Sequence, residues 1–198
     1  MNRRAALVAA FFALAQMTGA LMTRALAAEQ EATAPSSYGG TFTLVDHHGD
    51  TVMDEAYRGK FMLVAFGYTH CSDICPTLLV NMTHAVALLG PDGADVQPFF
   101  ITLDPTRDTP RVLADYVAAF SPRLIGLTGP EAFIEDIAQK YRIKVVKQPG
   151  KEGDYSIDHT VAIFLMDRDG KFLDRFPNGS TPEQIADKIR ERIKASAN

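Results

Sequence analysis

The sequence predicts an α/β protein, a sheet with helices on both faces. Three observations carry that prediction. Two short continuous apolar runs, at residues 60–68 and 96–104, read as buried central strands. Segments with apolar residues at helical spacing alternate with such runs. Hairpin signals stand at both ends of the pattern. Strands that alternate with helices need both sheet faces covered, which is the layered α/β solution.

Each element has its own reason. "GGTFTLVDHHGDTVM" alternates apolar residues around a His-Gly-Asp turn and predicts a β-hairpin. "KFMLVAFGY" is the first buried strand, and a loop holding Cys71 and Cys75 follows it. In "PTLLVNMTHAVALL", Leu78, Leu79, Met82, Val86 and Leu89 recur at helical spacing, with Pro76 near N1, where a missing N–H costs nothing. "VQPFFITLD" is the second buried strand. "DTPRVLADYVAAF" opens a helix, with Asp108 or Thr109 as N-cap and Pro110 near N1. "RLIGLTG" is a third apolar stretch and "PEAFIEDIAQKYRI" a third helix. "HTVAIFLMDRDGKFLDRF" predicts a hairpin turning at Asp169-Gly170. "STPEQIADKIRERIK" closes the chain as a helix, with a capping box from Thr181 to Gln184.

The chain has 198 residues, and its N-terminus reads as a targeting segment. Arg3 and Arg4 precede an apolar run to about Met22, and Ala25-Leu26-Ala27 forms a small-x-small cleavage site. Residues 1–27 are therefore a signal peptide, cleaved after Ala27, or a membrane anchor. Residues 28–40 are small and polar and read as a flexible leader. Residues 41–198 suffice for one domain with a single core. The signal holds three of the 20 basic residues and none of the 24 acidic ones, leaving 17 against 24, a charge of −7. An acidic domain without a basic cluster excludes nucleic acid and anionic membrane surfaces as partners.

"FGYTHCSDICPTLL" contains both cysteines, separated by three residues. The loop runs from a strand into a helix, at the strand end where open α/β sheets place their sites. A helix N-terminus favours thiolate over thiol, so both sulfurs are expected to be more ionised than free cysteine. The residue before a proline avoids helical angles, which places Cys75 at or just outside the helix start. Three chemistries are open: dithiol–disulfide exchange, a structural disulfide, and a metal held by two thiolates and one further ligand. Zinc usually takes four ligands in a closed site, whereas two thiolates with an imidazole suit copper.

Five histidines compete for the third position. His47 and His48 are polar turn residues of the first hairpin. His70 adjoins Cys71 but points another way in an extended loop. His84 sits beside the apolar face of its helix, where packing explains it. His159, in "DYSIDHT", lies in a loop just before a buried strand, within reach of the cysteine loop if strand ends converge.

"FGYTHCSDICP", "FITLDPTRDTP", "LIGLTG" and "DYSIDHT" occur in this order and at familiar spacing. Together they resemble the Sco/SenC family of copper-binding, thioredoxin-like assembly proteins for cytochrome c oxidase, from about residue 38 to the C-terminal helix. The resemblance implies a thioredoxin-like fold with a central mixed sheet flanked by helices and an N-terminal β-hairpin extension. It implies one copper ion, Cu(I) or Cu(II), with Cys71, Cys75 and His159 as ligands, in an exported or membrane-anchored domain. It implies as partners the copper-receiving oxidase subunit, other copper chaperones and a thiol reductant. Ser72 stands where the family usually has proline, and Asp73 matches its acidic position. Disulfide exchangers of this fold carry a cis-proline before a late strand; "IDHTVAIF" has none there. The first expectation is a copper chaperone that serves the binuclear copper centre of oxidase subunit II. The second is a periplasmic thiol–disulfide oxidoreductase with Cys71 or Cys75 as nucleophile. In "DPTRDTP", turn and cap chemistry explains most of the motif, and Arg107 is expected to pair with a loop carboxylate or meet a partner.

Overall fold

A computed structural model describes residues 38–151 and 153–196. The expected signal and all but the end of the expected leader lie outside them. Among the described residues the nine strands are β1 (Thr43–Asp46), β2 (Thr51–Met53), β3 (Phe61–Gly67), β4 (Val96–Thr102), β5 (Ile125–Thr128), β6 (Val145–Pro149), β7 (Tyr155–His159), β8 (Ala162–Met166) and β9 (Phe172–Pro177). The four α-helices among them are α1 (Ile74–Leu88), α2 (Pro110–Ala118), α3 (Glu131–Lys140) and α4 (Pro182–Ser196). None of the described helices is long and apolar enough to cross a membrane.

Seven strands form one mixed sheet in the order β2-β1-β5-β4-β3-β8-β9. β3, β4 and β5 run parallel, and β1 and β8 join them antiparallel. The first hairpin thus extends one edge of the sheet, as the alternating pattern predicts. All seven residues of β3 and of β4 are buried, which is why both read as unbroken apolar runs.

The core has two halves, one on each sheet face. Phe61, Leu63 and Ala65 of β3 pack with Leu79 and Met82 of α1, Leu113 of α2 and Ile185 of α4. Met62, Val64 and Phe66 face the other way, toward Ile134 and Ile137 of α3 and Leu44 of β1. The period-two alternation of a strand divides them. Tyr38 and Gly39, assigned by sequence to the leader, are fastened to this second half. Tyr38 stacks near Phe172 at 4.9 Å, and Gly39 N donates to Lys140 O at 2.9 Å.

The helix ends follow their chemistry. Thr109 is the N-cap of α2, its hydroxyl accepting from Val112 N, with Pro110 at the first position. Thr181 and Gln184 exchange hydrogen bonds at the start of α4, the reciprocal capping box.

Two expectations fail. First, the segment before β8 is not a loop. β6 and β7 pair antiparallel into a separate two-stranded ribbon, with Val145 opposite His159 and Pro149 opposite Tyr155. The ribbon is exposed along all of β6 and buries only Ile157 of β7. An amphipathic signal needs a buried face, and this ribbon has almost none. Second, α1 starts at Ile74, so Cys75 lies inside the first helical turn and Pro76 follows it there. The first-turn N–H groups have no intrahelical acceptor, so proline fits here too. Cys75 N donates to Cys71 Sγ at 3.5 Å, and that bond draws the residue before the proline into the turn.

Candidate metal centre

β3 and β4 end side by side, and the cysteine loop leaves from Gly67. Leu103 N donates to Gly67 O at 2.7 Å, which ties the two strand ends together. A Cβ on Gly67 would stand 2.9 Å from both Cys75 Sγ and Phe100 Cε2. Only glycine lets the buried sulfur come this close to the strand. Cys71 N then donates to Tyr68 O at 3.2 Å, closing the turn that brings the chain into α1.

Cys75 Sγ lies 3.4 Å from His159 Nε2. The imidazole reaches it from the end of β7, across the chain from the cysteines. Its other nitrogen, Nδ1, stands 3.0 Å from Thr160 O. A carbonyl only accepts, so Nδ1 carries the proton and Nε2 turns its lone pair toward the sulfur. This is how ligating histidines are usually oriented. Burial pulls the His159 pKa down, against the Thr160 carbonyl and Asp158, so the ring is neutral at pH 7. Cys71 is half-buried, Cys75 is buried, and both are free thiols. Among the described residues no three His, Cys, Asp or Glu side chains form a finished metal cluster. Cys75 and His159 are in contact, and Cys71 Sγ lies one helical turn back at the N-terminus of α1, 3.5 Å from Cys75 N. A cleft of about 400 Å³ lies over them, with His70, Ile74 and Val161 at its walls. Two thiols and a neutral imidazole form a soft donor set that excludes hard ions.

One electrostatic expectation is reversed. The helix N-terminus does not ionise Cys75. Burial pushes its thiol above the ordinary range, the neighbouring Cys71 adds to this, and a backbone bond at Tyr68 opposes it. Desolvation outweighs the dipole for a sulfur with almost no contact with water. A metal ion entering here must therefore displace a proton.

None of the other histidines contacts Cys75, though His70 stands at the cleft wall. His47 Nδ1 accepts from Gly126 N at 3.2 Å and fastens the first hairpin to β5. His48 is exposed and stacks beside it at 4.1 Å. His70 is exposed and meets Thr69 Oγ1 at 3.2 Å. His84 is exposed too, not packed against the core as its position suggested. Ser72 and Asp73 are exposed, and the Asp73 carboxylate makes no capping bond.

The "DPTRDTP" segment does more than cap a helix. Asp108 is fully buried and accepts from Thr69 N at 3.0 Å, Thr69 Oγ1 at 2.6 Å and Thr102 Oγ1 at 2.6 Å. It pins the cysteine loop to the end of β4. Asp104, also fully buried, accepts from Tyr155 OH at 2.6 Å and from Arg107 Nε. Arg107 Nη1 donates to Asp154 Oδ1 at 2.9 Å and Tyr155 O at 3.1 Å, and its guanidinium lies 3.7 Å from the Tyr155 ring centre. Arg107 thus pairs with loop carboxylates, one of the two roles expected for it. Ile157 N donates to Tyr68 OH at 3.2 Å, a second tie between ribbon and loop. Sequence reasoning passed over the roles of Tyr68 and Tyr155, and read Asp104 and Asp108 only as turn and cap residues. The available signal was a pair of aspartates beside a buried strand end, more carboxylate than one N-cap needs.

The sheet and the strand-to-helix cysteine loop define a thioredoxin-like protein with a histidine brought to the dithiol. The chain belongs to the SCO1/SenC family, whose sequence profile matches residues 30–194. It is 43% identical over 152 residues to protein sco1 of Schizosaccharomyces pombe, covering 75% of this chain and 58% of that protein. The chain spans about three fifths of the length of the curated relatives it matches first. The structure of Bradyrhizobium japonicum ScoI with copper bound superposes with a TM-score of 0.73 at 42% identity, covering 78% of this chain and 99% of that one. BsSco, described with a disulfide switch and as a member of the Sco family of cytochrome c oxidase assembly proteins, superposes with a TM-score of 0.65 at 29% identity, covering 82% and 95%.

Proposed function

We propose that this chain is a copper chaperone: it binds one copper ion through Cys71, Cys75 and His159 and delivers it to the binuclear copper centre of cytochrome c oxidase subunit II. The observation that carries this reading is the approach of His159 Nε2 to Cys75 Sγ at 3.4 Å, with the lone pair facing the sulfur. The copper-bound relative supports the choice of ion. The relative described as an oxidase assembly protein supports the destination. An N-terminal segment with the features of a signal or anchor puts the domain on the exported side, where the receiving subunit would meet it.

Two thiolates and one imidazole leave a copper ion open on one side to a further ligand. An incoming thiolate can then displace one ligand at a time, and the ion is never released to water. Oxidation of Cys71 and Cys75 to a disulfide removes two donors at once and would switch binding off. The exchange-enzyme reading gains less support. Cys75 is buried and holds its proton, which makes it a poor nucleophile, and only Cys71 is open to attack.

The test is a copper titration of the reduced protein. The expected result is one equivalent bound, with an intense thiolate-to-Cu(II) absorption that is lost in His159→Ala. Binding that survives Cys71→Ser together with Cys75→Ser would overturn the reading.

A further inference from the structure

The two halves of the proposed copper site arrive on different supports. The cysteines sit on the loop and first turn between β3 and α1. His159 sits at the end of a ribbon that buries one residue, Ile157. The polar ties that hold Asp154 and Tyr155 to the body meet at Arg107; Ile157 N is held separately by Tyr68 OH at 3.2 Å, and Thr160 N by Lys144 O at 3.0 Å. Its Nε reaches buried Asp104, its Nη1 holds Asp154 Oδ1 and Tyr155 O, and its plane covers the Tyr155 ring. Tyr155 OH closes the ring onto Asp104 at 2.6 Å. The Tyr68 ring lies on the same guanidinium at 5.8 Å, and at 6.3 Å edge-on to His159. Arg107 Nη2 is buried with no partner among the described residues, so the guanidinium is held there at the expense of one bare donor. Asp154 is 76% exposed, so the set built on buried Asp104, with half-buried Arg107 and Tyr155, is the part that fixes position.

We propose that Arg107, with Asp104 and Tyr155, is a positioning latch that sets the copper oxidation-state preference of the site. The inference rests on the copper reading above. Two thiolates alone satisfy Cu(I), whereas Cu(II) needs the imidazole as well. A latch that holds the ribbon holds His159 over Cys75, and so stabilises Cu(II) selectively. Without it the cysteine half is unchanged and the histidine half is loose.

The experiment compares the reduced full chain with Arg107→Ala and with Tyr155→Phe. Tyr155→Phe keeps the ring beneath the guanidinium and loses only the bond to Asp104. Cu(I) and Cu(II) affinities are measured separately by competition with chelators, alongside the thiolate-to-Cu(II) absorption. Arg107→Ala, which acts on His159 only through the ribbon, is expected to lose about 10-fold in Cu(II) affinity, the low end of what losing a direct outer partner of a ligand costs. Tyr155→Phe loses less, and Cu(I) affinity stays the same in both. In the metal-free protein, hydrogen exchange at the Ile157 amide speeds up. In a His159→Ala background the Arg107 substitution has no further effect on either affinity, because the two act through one ligand. Equal losses for Cu(I) and Cu(II), or a loss that persists without His159, would overturn the latch and leave Arg107 a merely structural residue. Unchanged Cu(II) affinity and absorption in both variants would overturn it as well. If the unmodified chain binds neither ion, the copper reading itself fails, and that result is distinct from all of these.

Discussion

The cysteine loop and the β6–β7 ribbon hold their functional residues in opposite ways. Cys75 is packed against Gly67 and Phe100 at the end of two fully buried strands. His159 stands on a ribbon whose hold on the body is a few polar contacts around Arg107, Tyr155 and Tyr68. One support is made by apolar burial, which is non-directional and cooperative. The other is made by hydrogen bonds and a stacked guanidinium, which fix direction at modest net stability. On the copper reading proposed above, the difference divides the labour: the cysteines would be the permanent donors and the histidine the adjustable one.

The comparison can be broken most severely at the ligands. Cys75→Ser is expected to weaken binding of either copper ion by more than about 100-fold, beyond the usual effect of an outer partner. His159→Ala is expected to do the same for Cu(II) and to remove the thiolate-to-copper band, as followed by absorption during titration. The next largest effect is on the cysteine support. Asp108→Ala leaves the buried donor of Thr102 and the two half-buried donors of Thr69 without this acceptor, and about 2–4 kcal/mol of stability should be lost in urea unfolding, since each fully buried bare donor costs about 1–3 kcal/mol. Gly67→Ala drives a Cβ to 2.9 Å from Cys75 Sγ and Phe100 Cε2, and should cost about 1–3 kcal/mol by overpacking.

The pH dependence separates the two supports by sign. The His159 pKa lies below its ordinary 6.5, so below that pH the unfolded chain takes up a proton that the fold resists. Stability of the metal-free protein is then full above pH 6.5 and is lost as pH falls. The Cys75 pKa lies above its ordinary 9.0, so its contribution is full below pH 9.0 and is lost as pH rises. Urea midpoints across pH should show both limbs. Cys75→Ala should flatten the alkaline one and His159→Phe the acid one. The smallest effect is expected at the rim of the ribbon. Asp154→Ala removes an exposed partner of Arg107 and should change stability by less than about 1 kcal/mol, measured in the same urea series.

Much of this was legible in the residues. β3 and β4 announce themselves because both faces of each strand are buried. The caps of α2 and α4 follow from Thr109-Pro110 and Thr181-Gln184, since the chemistry of a helix start is local. The cysteine loop is legible for the same reason: a strand, a short loop and a helix place both sulfurs within one stretch of chain. The ribbon was illegible. β6 shows no alternation because no face of it is buried, and its pairing with β7 spans a turn that carries no apolar pattern. The ionisation of Cys75 was misread, because a local rule about helix ends says nothing of how deeply a sulfur is buried. Asp108 was half-read, as one of two possible caps, when its role is to fasten a loop 39 residues earlier.

The sequence by itself determined the order of the helices and of the strands of the main sheet, the two thiols at a strand end, and the set of histidines that could join them. Those features depend on period, turn chemistry and spacing, which act within a few residues. Only the tertiary structure decided that His159 meets Cys75, 84 residues away, with its free lone pair turned inward by Thr160. Only it placed Arg107 between the loop and the ribbon. Such contacts depend on which strand ends the sheet brings together and on what that packing shuts off from water, and neither is a property of any short stretch of chain.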